Sequence, residues 1–139
     1  MSTNEKIDVA WRAIEAFNNK DWDAVRVALT ADCYYDEVAT RKANGVEAII
    51  ELWRGWAKTL PDANATIGSS YVCEGTVIFE LNWTGTMTGP MDSPTGEIQP
   101  TNKPFTNRGC WLAEIDGDQS KAIRQYFDVL TMMKSVGIA

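Results

Sequence analysis

The chain contains no histidine, so every proton-transfer role must fall to a carboxylate, a tyrosine or a lysine. A Ser-His-Asp triad, a Cys-His pair, an HExxH zinc helix and a two-histidine iron site are all excluded. The groups best spaced for acid/base work lie in the last β-prone run, Ala122 to Leu130. Strand alternation puts Arg124, Tyr126 and Asp128 on one face and Gln125, Phe127 and Val129 on the other. Each member of the first set also has a structural alternative. Asp128, followed by Val-Leu-Thr-Met-Met, has the residue type of a helix N-cap. Tyr126 is equally a core tyrosine with a satisfied hydroxyl. Arg124 can pair with Glu80 or Glu114 across the sheet.

Cys33, Cys73 and Cys110 are odd in number and far apart, which gives neither a disulfide framework nor a paired-thiol zinc site. Cys110 lacks the histidine that usually activates a cysteine nucleophile, so all three are expected to be small buried hydrophobes. No GxGxxG or GxxxxGK[ST] fingerprint is present. Action without metal or cofactor is therefore the expectation. Asn82 and Asn107 sit within β-prone runs, where each contacts a ligand if it faces inward, or solvent or a second subunit if it faces outward. Trp53, Trp56, Trp83 and Trp111 are divided between core and pocket wall.

These residues need elements to hold them. Ile7, Ala10, Trp11, Ile14 and Phe17 recur at spacings of three and four and predict an amphipathic helix, broken at Asn18 and Asn19. Asp21 can cap a short second helix carrying Trp22, Val25, Ala28 and Leu29. A short β-prone segment, Cys33 to Val38, leads through a polar connection to a third helix. Its apolar face is Val46, Ile49, Ile50, Trp53, Trp56, Ala57 and Leu60, and it stops before Pro61. Gly55 within it predicts a site of close packing, because glycine costs a helix about 1 kcal/mol. Strand-like runs follow over Ala63 to Cys73, Val77 to Thr86, Phe105 to Ile115 and Ala122 to Leu130. The pattern predicts an α+β fold with an antiparallel meander. The segment Gly89 to Lys103, with Pro90, Pro94 and Pro100, is longer than a hairpin needs and reads as a rigid surface loop or a lid.

The second half resembles the SnoaL-like polyketide cyclases and ester cyclases of the nuclear-transport-factor-2-like superfamily. Gly85-Thr86-Met87-Thr88-Gly89 is similar to that family's Gly-Thr-His-Thr-Gly loop, with Met87 where histidine is common. Tyr126-Phe127-Asp128 before Leu130, Met132 and Met133 resembles the ester-cyclase Tyr-Phe-Asp or Tyr-Trp-Asp triplet. The resemblance implies one domain over residues 1–139. It is expected to be a cone-shaped barrel of three N-terminal helices packed on a strongly curved, mostly antiparallel sheet, closed by a short C-terminal helix around an apolar pocket. It further implies an intramolecular aldol closure, which needs a base beside a carbon acid and a donor for the enolate oxygen. Asp128 would be the base or acid and Tyr126, Tyr34 or Asn107 the donor. Trp53, Trp56, Asn82, Met87, Trp111 and Arg124 complete the expected substrate contacts. In cyclases proper the aspartate can instead lie three positions earlier, where this chain has Gln125.

A net charge of -6 without a Lys/Arg stripe argues against a nucleic-acid partner. No run of about 18 apolar residues suggests a membrane span, and the N-terminus MSTNEKID does not resemble a signal peptide, so the expected location is the cytoplasm. A sheet face left apolar outside the pocket would make a homodimer. Three functions compete: a cofactor-independent enzyme acting on a small apolar carbonyl or ester compound by cyclisation or isomerisation, a non-catalytic carrier of a hydrophobic small molecule, and a dimeric interaction module.

Overall fold

Side-chain caps start the first two helices where the pattern places them. A computed structural model describes residues 1–139. In α1 (Thr3–Asn18), the Ser2 hydroxyl accepts the Glu5 amide at 3.1 Å while the Ser2 amide donates to the Glu5 carboxylate at 3.2 Å. Asp21 caps α2 (Trp22–Ala28) by accepting the Ala24 amide at 3.1 Å. Strand β1 (Leu29–Glu37) follows without a break. The connection after it, expected to be irregular, contains a short antiparallel partner, β2 (Arg41–Asn44). Helix α3 (Val46–Thr59) then turns the face of Ile49, Ile50 and Trp53 into the core. Gly55 does not mark close packing: the space a Cβ would take there is open.

The remaining strands are β3 (Asn64–Cys73), β4 (Thr76–Thr86), β5 (Met91–Ser93), β6 (Gly96–Ile98), β7 (Pro104–Asp116) and β8 (Gln119–Phe127), before the terminal α4 (Val129–Ser135). The main sheet has the order β2-β1-β8-β7-β4-β3 and is antiparallel except between β1 and β8. The four runs β3, β4, β7 and β8 form the expected antiparallel meander, and the parallel contact of β1 with β8, which the sequence did not predict, sets Glu37 opposite Gln125. The sheet is also not a closed barrel. β2 and β3 remain free edges, and helices α1 and α3 cover the concave face.

Alternation decides what faces the helices. The buried set is Cys33, Tyr35 and Glu37 on β1, Val77, Phe79 and Leu81 on β4, Phe105, Asn107, Trp111 and Ala113 on β7, and Ile123 and Gln125 on β8. Their alternates on the outer face include Glu80, Asn82, Arg108, Glu114, Arg124 and Tyr126, so that face is mixed rather than apolar. The Gly89–Lys103 segment is tied down. A Cβ on Gly89 would collide with the Lys58 carbonyl. The Gly89 amide donates to the Thr59 carbonyl at 3.1 Å, and the Thr59 hydroxyl donates to the Pro90 carbonyl at 2.8 Å. Within the segment, β5 and β6 form a small hairpin.

Candidate active site: a buried carboxylate in an aromatic cavity

Between α1, α3, α4 and the concave face of the sheet lies a cavity with about 60 Å³ of room for the centres of water-sized molecules. Its wall is mostly aromatic: Phe17, Trp53, Trp56, Trp83, Trp111 and Phe127 all reach it. Several rings meet edge to face, with Tyr35 and Trp53 at 5.5 Å between centroids and Phe17 and Trp83 at 5.6 Å. Such contacts fix the rings in place, so the wall is preformed.

One carboxylate belongs to this wall. Glu37 is only 1% exposed, and an ionised group at that depth requires donors around it. Its Oε2 accepts the Tyr35 hydroxyl at 3.0 Å and the Trp56 indole N–H at 2.8 Å. Its Oε1 accepts the Thr40 hydroxyl at 2.7 Å and lies 3.7 Å from the Arg41 guanidinium nitrogen, whose side chain is half-exposed. The network extends inward: Gln125 donates from Nε2 to the Tyr35 hydroxyl oxygen at 3.0 Å, and its Oε1 accepts the Trp83 indole N–H at 2.8 Å. Every donor in the series Trp83, Gln125, Tyr35 therefore points toward Glu37. Burial pushes the Tyr35 phenol well above its ordinary pKa, and the neighbouring Glu37 charge adds to this. The phenol is a neutral donor throughout the physiological range.

A glycine gives this network room. A Cβ on Gly109 would lie 3.0 Å from the Gln125 Oε1 and 3.4 Å from the Trp83 Nε1. A side chain there would press the amide and the indole aside by a few tenths of an ångström where they meet against β7.

The residues singled out in the sequence divide sharply. Trp53, Trp56, Asn107 and Trp111 line the cavity. Asn107 donates to the Asp128 backbone carbonyl at 3.1 Å, tying β7 to the start of α4. Tyr34 alternates with Tyr35 and Glu37 and so lies on the opposite face of β1. Asn82 is exposed on the outer face of β4. Met87 is fully buried but off the cavity, with its sulfur 3.6 Å from the Thr101 hydroxyl. Arg124 pairs with Glu114 at 2.8 Å on the outer face.

Asp128 and Tyr126 are not in the cavity, and their expected placement there is corrected. Asp128 is the N-cap of α4: one carboxylate oxygen accepts the Thr131 amide at 3.1 Å and the other the Thr131 hydroxyl at 2.8 Å. Those bonds, the backbone one foremost, hold its pKa below the ordinary aspartate value. Tyr126 is 47% exposed on the outer face of β8. The inward face carries Ile123, Gln125 and Phe127 instead, and the apolar character of that set was the signal available in the sequence. Tyr35 and Glu37 went unnoticed because an acidic residue beside Tyr-Tyr-Asp in a short run reads as solvated, whereas Gln125 entered only as the position where the resemblance to cyclases allows an aspartate.

Cys73 is exposed rather than buried as expected, and neither Cys33 nor Cys110 is primed for nucleophilic work. Burial, with Asp32 nearby, pushes Cys33 up to about 12, and burial with Glu80 nearby raises Cys110. No three His, Cys, Asp or Glu side chains converge to hold a metal ion.

Comparison with known proteins agrees with this architecture. The chain superposes on a candidate SnoaL-like polyketide cyclase from Jannaschia sp. CCS1 with a TM-score of 0.87 at 16% identity, covering 100% of this chain and 97% of that one. TsrD from Streptomyces laurentii matches with a TM-score of 0.84 at 16% identity over 100% and 99% of the two chains. An LEH-like epoxide hydrolase from M. tuberculosis gives 0.75 at 22% identity over 96% and 90%. A search of curated proteins returns no match. At these identities the likeness establishes the fold, and the same fold carries more than one chemistry. The model of the SnoaL-like polyketide cyclases, however, matches residues 7–136, and the chain belongs to that family.

Proposed function

We propose that the protein is a cofactor-independent enzyme of the cyclase or isomerase type, acting on a small apolar carbonyl or ester compound, with Glu37 as the group that moves the proton. The observation carrying this reading is a carboxylate 1% exposed on the wall of a mostly aromatic cavity. Burying that charge is costly, and the three-residue chain of donors ending at Tyr35, with the separate Trp56 indole, offsets the cost.

In an aldol closure the C–H bond beside a substrate carbonyl breaks, its proton passes to Glu37, and its electron pair moves onto the carbonyl oxygen. The enolate carbon then attacks a second carbonyl carbon, forming the ring bond, and the resulting alkoxide takes the proton back. Without a second carbonyl in reach, return of the proton to a different carbon gives isomerisation. Tyr35 and Trp56 hold the carboxylate in one orientation through either sequence, and the aromatic wall excludes water that would protonate the enolate.

A non-catalytic binding protein is the second reading, and Gln125 favours it. An amide cannot transfer a proton, and it stands where the resemblance to cyclases places an aspartate. The two are separated by NMR in deuterium oxide, following exchange at the α-carbon of simple ketones and β-ketoesters. The enzyme predicts catalysed exchange that falls by roughly 10²–10⁴-fold in Glu37→Gln and is unchanged in Asp128→Asn. Binding without exchange in the wild type would leave the carrier.

A further inference from the structure

Three buried side-chain polar atoms have no hydrogen-bond partner: Thr30 Oγ1, Ser120 Oγ and Trp111 Nε1. The two hydroxyls sit near the start of β1 and β8, away from the cavity, and a hydroxyl hydrogen rotates toward whatever acceptor is near. An indole N–H is fixed in the ring plane and can only donate. Trp111 is 3% exposed and lines the cavity. Its ring packs against Trp53 at 5.8 Å and Tyr35 at 6.0 Å between centroids, and it lies opposite Gln125 in the β7–β8 ladder. By contrast the cavity indoles of Trp56 and Trp83 both have acceptors. A buried donor left without an acceptor forfeits the bond that water would give it, so an acceptor belonging to the ligand is the natural partner.

We propose that Trp111 Nε1 is the donor to the substrate's oxygen, and that the cavity accepts uncharged molecules presenting one carbonyl-type oxygen and rejects carboxylates of the same shape. The selectivity follows from charge. Glu37 already places a negative charge on the wall, the only cation near it is the half-exposed Arg41, and a second anion at such depth meets both desolvation and repulsion. A neutral oxygen gains the indole donor without either. This assignment rests on the cavity being the binding site, as proposed above, but not on any turnover there.

The test reads binding alone. In a nitrogen-15 spectrum of the whole protein, Trp111→Phe identifies the Trp111 indole resonance. Wild-type protein is then titrated with cyclohexanone, methylenecyclohexane and cyclohexanecarboxylate. The expected result is a downfield shift of the Trp111 N–H with the ketone, binding of the hydrocarbon without that shift, and no binding of the carboxylate. Trp111→Phe should bind the ketone roughly 3–10-fold more weakly, the worth of one neutral hydrogen bond, while its hydrocarbon affinity changes less. An unmoved Trp111 resonance on ketone binding, equal affinity for ketone and carboxylate, or no ketone binding at all overturns the proposal, and the wild-type titration decides even if the variant does not fold. Setting this titration beside the deuterium-exchange experiment separates the two claims. A ketone that still shifts Trp111, in a protein whose wild type exchanges no deuterium, refutes the enzyme and leaves the indole assignment standing.

Discussion

Glu37 and Asp128 stand at the ends of adjacent parallel strands, β1 and β8, a few residues apart along the sheet, and they live in opposite worlds. Glu37 is the last residue of β1, and its parity with Cys33 and Tyr35 turns it inward, where side chains supply every bond it accepts. Asp128 is one residue past β8, where the chain turns into α4, and its carboxylate serves the first turn of that helix. The difference teaches that a carboxylate's role here is set by strand parity and the start of the next element, not by its neighbours in sequence.

The largest expected effect comes from removing the inner carboxylate. Glu37→Ala strands the buried Tyr35 hydroxyl and the half-buried Trp56 indole as donors without an acceptor, at a cost of about 3–5 kcal/mol in urea unfolding. A loss no greater than that of Asp128→Ala would break the comparison.

The next effect is alkaline. Tyr35 has its pKa raised in the folded state by burial and by Glu37. Its contribution to stability is therefore fully present below the unfolded tyrosine value of about 10 and is lost as pH rises past that value toward the folded one. Stability should fall above pH ~10, with the Tyr35 phenolate appearing only as the protein unfolds. Tyr35→Phe should be less stable at neutral pH and show a shallower alkaline decline.

The smallest effects lie on the outer side. The depressed pKa of Asp128 means its contribution is present above the unfolded aspartate value of about 3.9 and is lost as pH falls through the lower folded one. Asp128→Asn should fray α4, lower the melting temperature by less than Glu37→Ala does, and leave deuterium exchange intact. Tyr126→Phe should sit within about 0.5 kcal/mol of wild type. A fall in exchange in either variant would return proton transfer to the outer pair.

Much of the fold was legible in the sequence, since helix stripes such as Ile14 and Phe17 or Ile49 and Trp53, the Asp21 cap and the turn-bounded β runs are local signals. The site was less so. Trp53, Trp56, Asn107 and Trp111 were named and line the cavity. The polar centre was missed because Tyr35 and Glu37 meet Gln125, named in the sequence only as an alternative position, across strands 90 residues apart in the chain.

Residue order and type alone set the helices, the long strands, the family and the impossibility of histidine chemistry, because each depends on short-range periodicity or simple absence. The facing of β8, the parallel contact of β1 with β8, and so the choice of Glu37 over Asp128 as the cavity's carboxylate were decided only by tertiary packing. A two-residue period offers two equivalent faces, and only the burial of Ile123 and Phe127 against the helices and the aromatic wall selects between them.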